Sequence, residues 1–181
     1  MMMTMRHFGT GAVLAALMTV GGCLFEPYRE STRFDPVVAP AETPVVGVPV
    51  AVAEFRNNSS SGVRMQFRDA SGTVTTDPYN SWILPPGELA ARALTQALNT
   101  GRETGEPRFV NGALVTFEVR TPERVFHLAG AFSTDGGRRF TRFDIAERVE
   151  GDSASAVSAA AAAAIGKLAK EIAASLRSGR P

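Results

Sequence analysis

From Ala113 to Val149 the chain reads ALVTFEVRTPERVFHLAGAFSTDGGRRFTRFDIAERV, and the fold turns on how this stretch divides. Apolar and polar residues alternate at its start. Ala113, Val115, Phe117 and Val119 fall on one face of an extended chain, and Thr116, Glu118 and Arg120 on the other. Thr121-Pro122-Glu123 breaks the run, and Val125 to Ser133 resumes it with Phe126, Leu128 and Phe132 on one face. Asp135-Gly136-Gly137 is a second turn signal, after which Arg139 to Val149 returns. Phe143 and Ile145 share one parity there while Phe140 has the other, which predicts a bulge or two partly covered faces. Short turns between such runs make an antiparallel meander.

Working outward, Asp152 and Ser153 are N-cap candidates for a closing helix. Val157, Ala161, Ala164, Ile165, Leu168, Ile172 and Leu176 step down one helical face. Lys167, Lys170 and Arg177 complement the dipole at its end. Ala159 to Ala164 has the highest helix propensity, and its small side chains permit close approach to a sheet. Upstream, Val46, Val48, Val50 and Val52 alternate as far as Phe55, a strand whose Pro49 predicts an edge position. Val63, Met65 and Phe67 alternate with Arg64, Gln66 and Arg68, and Ser71-Gly72 turns the chain into Thr73 to Thr76, a hairpin. A helix from about Glu88 to Asn99 follows, striped by Ala90, Leu94, Ala97 and Leu98, with Gly101 just beyond it. This order predicts an α+β fold: an antiparallel sheet of about five to six strands with two helices packed on one face.

Composition narrows the function. The chain has 181 residues, 44% hydrophobic and 20% charged, enough for one domain with a real core. A formal net charge of +1 offers no field to hold a nucleic-acid backbone. One Cys closes no intrachain disulfide and makes no zinc finger.

The amino terminus reads as an address. Arg6 and His7 precede an apolar run from Phe8 to Val20, too short to span a bilayer and right for a secretory signal. Val20-Gly21-Gly22-Cys23 resembles the bacterial lipobox, in which the Cys is acylated and the signal is removed before it. An ordinary secreted protein would leave an unpaired thiol in an oxidising compartment. Several acyl chains give stable anchoring to a membrane. Leu24 rather than Asp follows the Cys, which points to the outer membrane. The expected division is therefore residues 1–22 as signal, 23–44 as acylated Cys and tether, and 45–181 as the folded body. Pro27, Pro36, Pro40 and Pro44 favour an extended tether, although Arg33-Phe34-Asp35 also suits an added edge strand.

Residues able to do chemistry are scarce. Beyond the signal the one His is His127, on a mid-sheet strand with no Ser or Cys motif beside it. Cys23, once acylated, is no nucleophile. The sequence holds no phosphate loop, dinucleotide fingerprint or zinc-helix motif, so no catalytic, cofactor or metal residue is assigned. Arg138, Arg139 and Arg142 form a basic cluster beside a turn, suited to a solvated edge or to contact with headgroups or a partner.

Asp77-Pro78-Tyr79-Asn80-Ser81-Trp82-Ile83-Leu84-Pro85-Pro86, followed by Glu88-Leu89 and Ala93-Leu94, resembles a segment of the ABC-type transport auxiliary lipoproteins, which include the paraquat-inducible protein C type. Met65-Gln66-Phe67-Arg68 is similar to that family's preceding strand, and the meander with its Ala-rich closing helix matches the family plan. The region after Cys23 lacks the family's short Tyr-x-Leu-x-Pro opening strand. The resemblance implies Tyr79, Trp82, Pro85, Pro86, Leu89 and Leu94 as motif residues, structural or in contact with a partner. It implies an outer-membrane lipoprotein that is not an enzyme. Its partners would be a mammalian-cell-entry (MCE) domain protein with its permease and ATPase, which move phospholipid between membranes, and it would sit in a homo-oligomeric ring. The competing expectation is a lipoprotein serving lipopolysaccharide insertion or peptidoglycan synthesis. A hydrolase built around His127 is the remaining class. Metabolic labelling with an alkyne fatty acid should tag the protein, and Cys23→Ala should abolish the tag. Labelling that persists in Cys23→Ala contradicts the anchor.

Overall fold

The computed structural model describes residues 29–39, 44, 46–99 and 103–178. The signal region and Cys23 lie outside the described residues. The chain forms β1 (Thr32–Phe34), β2 (Val50–Asn57), β3 (Arg64–Arg68), β4 (Val74–Trp82), α1 (Pro86–Leu98), β5 (Arg108–Arg120), β6 (Val125–Ser133), β7 (Thr141–Arg148) and α2 (Ala154–Ser178). The class is α+β, with two helices on a sheet among the described residues.

The meander of β5, β6 and β7 is antiparallel as expected. The purely antiparallel sheet of five to six strands is not what forms: among the described residues the sheet has seven strands and is mixed. β2 pairs parallel with β5 from Arg108 to Leu114, and β3 pairs parallel with Val119 and Arg120 of the same strand. Both therefore lie on one side of β5, end to end. The connection from Asn58 to Val63 carries the chain onward without reversing it, so successive strands keep one direction. β1 pairs parallel with Asn80 to Trp82, so Thr32–Phe34 takes the edge-strand reading rather than the tether reading.

The faces of β5 also differ from simple alternation. Its register against β6 shifts between Leu114 and Thr116, leaving Val115 as the extra residue, 62% exposed. Before it Val110 and Leu114 enter the core; after it Phe117 and Val119 do. A bulge inverts parity, so Ala113 and Val115 do not share a face with Phe117. β7 needs no bulge, because its register with β6 runs unbroken from Thr141 to Arg148. Phe140 simply precedes the strand and is exposed, as Val63 precedes β3. Met65, Phe126, Leu128, Phe132, Phe143 and Ile145 are buried as their alternation predicts.

Both helices lie on the face that Leu114 and Phe117 occupy. α1 covers β2, α2 covers β6 and β7, and the helices touch each other. Ser153 caps α2, its hydroxyl accepting from the Ala156 amide at 3.2 Å. Val157, Ala161, Ala164, Ile165, Leu168 and Ile172 are buried beneath it. Lys167 forms an ion pair with Glu147 on β7. Asn99, just after α1, clamps the start of β2: its carbonyl accepts from the Val50 amide at 2.9 Å and its amide donates to the Val50 carbonyl at 2.8 Å. Among the described residues no helix is long and apolar enough to cross a membrane.

Candidate functional site: an aromatic corner and a polar row

The motif residues meet where β4 hands over to α1. Asp77 opens a long bulge in β4, its carboxylate accepting from the Tyr79 and Asn80 amides at 2.8 and 2.9 Å and from the Asn80 side chain at 2.8 Å. That wide bulge lets Gln66 pair with Thr76 and Arg64 with Ser81. Trp82 ends the strand, its amide donating to the Val63 carbonyl at 2.6 Å. Pro86 then occupies the first turn of α1, where its missing N–H costs nothing. The Pro85 carbonyl accepts the first helical bond from Leu89 at 2.9 Å, and Glu88 adds a favourable charge beside the helix N-terminus. Gly87 is required here, because a Cβ would stand 2.1 Å from the Phe55 carbonyl oxygen of β2.

Trp82 points inward. Its ring meets Phe117 edge-on at 5.3 Å and Phe126 at 6.2 Å, and those two meet at 4.9 Å, all near perpendicular. It is 2% exposed, so its ring belongs to the core. Leu89 and Leu94 are fully buried and Pro86 is buried, whereas Tyr79 and Pro85 are half-buried. Of the two roles left open for the motif, Trp82, Pro86, Leu89 and Leu94 take the structural one.

The opposite face of the sheet carries a row that alternation alone did not reveal. Glu118 sits directly across from His127 in the β5–β6 register, and both are 4% exposed. Arg68 of β3 closes on Glu118 with two bonds, Nε to Oε1 at 2.5 Å and Nη2 to Oε2 at 2.9 Å. That bidentate bond and the carboxylate charge raise the Arg68 pKa further above its ordinary value. On the far side His127 Nε2 lies 2.6 Å from Asp144 Oδ1 of β7, while Nδ1 is buried with no hydrogen-bond partner among the described residues. Polar contacts thus join β3 to β5 and β6 to β7, with Glu118 and His127 as register neighbours between the two pairs. No group of three or more His, Cys, Asp or Glu side chains with metal-binding geometry occurs among the described residues.

One end of the sheet carries a pinned loop. Asp135 accepts from Ser133 Oγ at 2.7 Å and from the Arg138 and Arg139 amides at 3.0 and 3.1 Å. These bonds, the Ser133 hydroxyl first, hold its carboxyl below the ordinary carboxylate range. Gly136 and Gly137 supply the positive φ values of 75° and 87° that the turn needs. The loop thereby presents Arg138 and Phe140 in a fixed setting. A pocket of about 150 Å³ lies at the other end, between Phe67, Val119, Val149 and Val157, under the Arg124–Asp152 ion pair. Sequence reasoning named Asp77 and Asp135 without the backbone bonds they accept, and it missed the Arg68–Glu118 pair. The Asp-Pro and Asp-Gly-Gly sequences were local signals for the first two; the third depends on strand order.

No family model matches the sequence, and no curated protein matches it. Solved structures do share the fold. One uncharacterized protein superposes with a TM-score of 0.63 at 11% identity, over 82% of this chain and 99% of its own. A Xanthomonas campestris protein assigned to DUF330 superposes with a TM-score of 0.56 at 14% identity, over 83% of this chain and 95% of its own. At such identities the likeness concerns the fold alone. Trp82→Ala should cost about 3–5 kcal/mol of stability, as expected for an aromatic side chain removed from a packed core. Denaturant unfolding measures this, and an unchanged midpoint would contradict the packing role.

Proposed function

We propose that the chain is a non-catalytic, outer-membrane lipoprotein that accompanies an ABC/MCE-type phospholipid transport system and docks its periplasmic shuttle at the membrane. The observation that carries the reading is the run from Asp77 to Leu94. Its Tyr, Trp, Pro-Pro and Leu residues resemble those of the auxiliary lipoproteins, and here they build one corner of the core. The lipobox-like Val20 to Cys23 supports an anchored body, and the two-helix α+β domain is compatible with the family plan. ATP hydrolysis belongs to a partner subunit in this reading. His127 serves the polar row: its Nε2 is engaged by Asp144 and its ring is buried, which favours a structural role over turnover.

Affinity capture of the tagged protein, at native abundance from detergent-solubilised envelopes, should recover an MCE-domain protein together with a permease and an ATPase. Recovery of a peptidoglycan synthase or of the lipopolysaccharide-insertion porin, with no MCE-domain protein, would overturn the reading.

A further inference from the structure

At the Arg120 end of β5 the sheet and α2 part around the apolar pocket of about 150 Å³. Its floor is Phe67 of β3, Val119 of β5, Val149 just after β7 and Val157 of α2, the three valines being buried. An apolar cavity of this size admits a group of about six carbons and holds water poorly.

The mouth, in contrast, is charged. Arg124 and Asp152 both line it and bond at 2.8 Å, with side chains 56% and 95% exposed. An ion pair that open to water is weakly held, so a ligand carboxylate can replace Asp152 on the guanidinium. Arg124 is also the one non-glycine residue with a positive φ among the described residues, at 53°. Its amide donates to the Thr121 carbonyl at 3.2 Å and its carbonyl accepts from the Val149 amide at 2.8 Å, which holds that conformation. Glycine adopts it without strain, and a strained arginine kept at a pocket mouth points to a use for its side chain. α2 begins at Ala154 beside the same mouth with no acidic residue in its first turn, so the positive end of the helix adds to the field of Arg124.

We propose that this pocket binds a small anionic amphiphile, a medium-chain carboxylate whose hydrocarbon part of about six carbons fills the apolar floor and whose carboxylate bonds Arg124. A neutral hydrocarbon uses the floor alone and a polar anion uses Arg124 alone; an amphiphile uses both. Asp152 then competes with the ligand for the guanidinium. The pocket shares no residue with the Asp77–Leu94 motif, so its ligand is independent of the transport reading.

The test is calorimetric titration of the full-length protein in phosphatidylcholine nanodiscs, with empty nanodiscs as baseline and straight-chain carboxylates from butanoate to decanoate as probes. Affinity should rise about fourfold per added methylene until the pocket fills near heptanoate, then level off. Arg124→Gln should weaken heptanoate about tenfold and leave 1-hexanol unchanged, whereas Asp152→Asn should tighten heptanoate. Val157→Phe, which fills the floor, should abolish binding of both; the charge variants decide alone where thermal unfolding shows that it has lost the fold. No binding beyond that of empty nanodiscs, an affinity that keeps rising through decanoate, or heptanoate binding indifferent to Arg124 and Asp152 overturns the proposal. Envelope capture of the MCE-domain protein is read separately, so neither failure entails the other.

Discussion

The long strand from Arg108 to Arg120 is bordered by β6 along most of its length on one side, and by β2 and then β3 on the other. Such a strand must bury side chains at both ends beneath the same pair of helices. Strict alternation from Val110 through Leu114 would place Phe117 and Val119 on the open face. The extra residue at Val115 resolves the conflict by inverting parity, so one strand feeds the core twice. The aromatic corner, the polar row and the seating of α1 all follow from it.

Beyond the bulge, Phe117 receives Trp82 and Phe126, and Glu118 is turned outward to face His127 and Arg68. Before the bulge, the backbone of β5 supports β2, and α1 settles onto β2 closely enough that Gly87 admits no side chain. Gly112 is equally confined, a Cβ there lying 2.6 Å from the Phe55 ring. The long α2 closes the same core through an alanine-rich face, whose small side chains let it sit close to β6 and β7. Removing the Arg68 guanidinium alone would strand the buried Glu118 carboxylate, whereas Arg68 itself stays partly exposed.

Much of this was legible in the sequence because its causes are local. The β6 and β7 strands, the hairpin of β3 and β4, and both helices announced themselves through period and turn residues. What stayed hidden depends on neighbours far along the chain. Val115 looks like any apolar strand residue, and only the demands of β6 identify it as the bulge. Parallel pairing of β2 and β3 leaves no mark on alternation, since direction is decided by where the connecting loop carries the chain. The motif around Trp82 was visible as a pattern, but its inward orientation comes from Phe117 and Phe126 on strands that follow it.

The two faces of the sheet then differ in what they hold. The helix-covered face uses the recognisable motif for stability, and the open face carries the Arg68–Glu118 and His127–Asp144 contacts. That division holds only if Val115 sets the parity of β5. The chain has a single Trp, Trp82, and it packs on Phe117 just past the bulge, so its emission reports that half directly. The decisive measurement is urea unfolding, followed by this emission, of a chain from which Val115 has been deleted. The account predicts red-shifted emission before denaturant is added and loss of the cooperative transition. Native-like emission with an unchanged midpoint would contradict it.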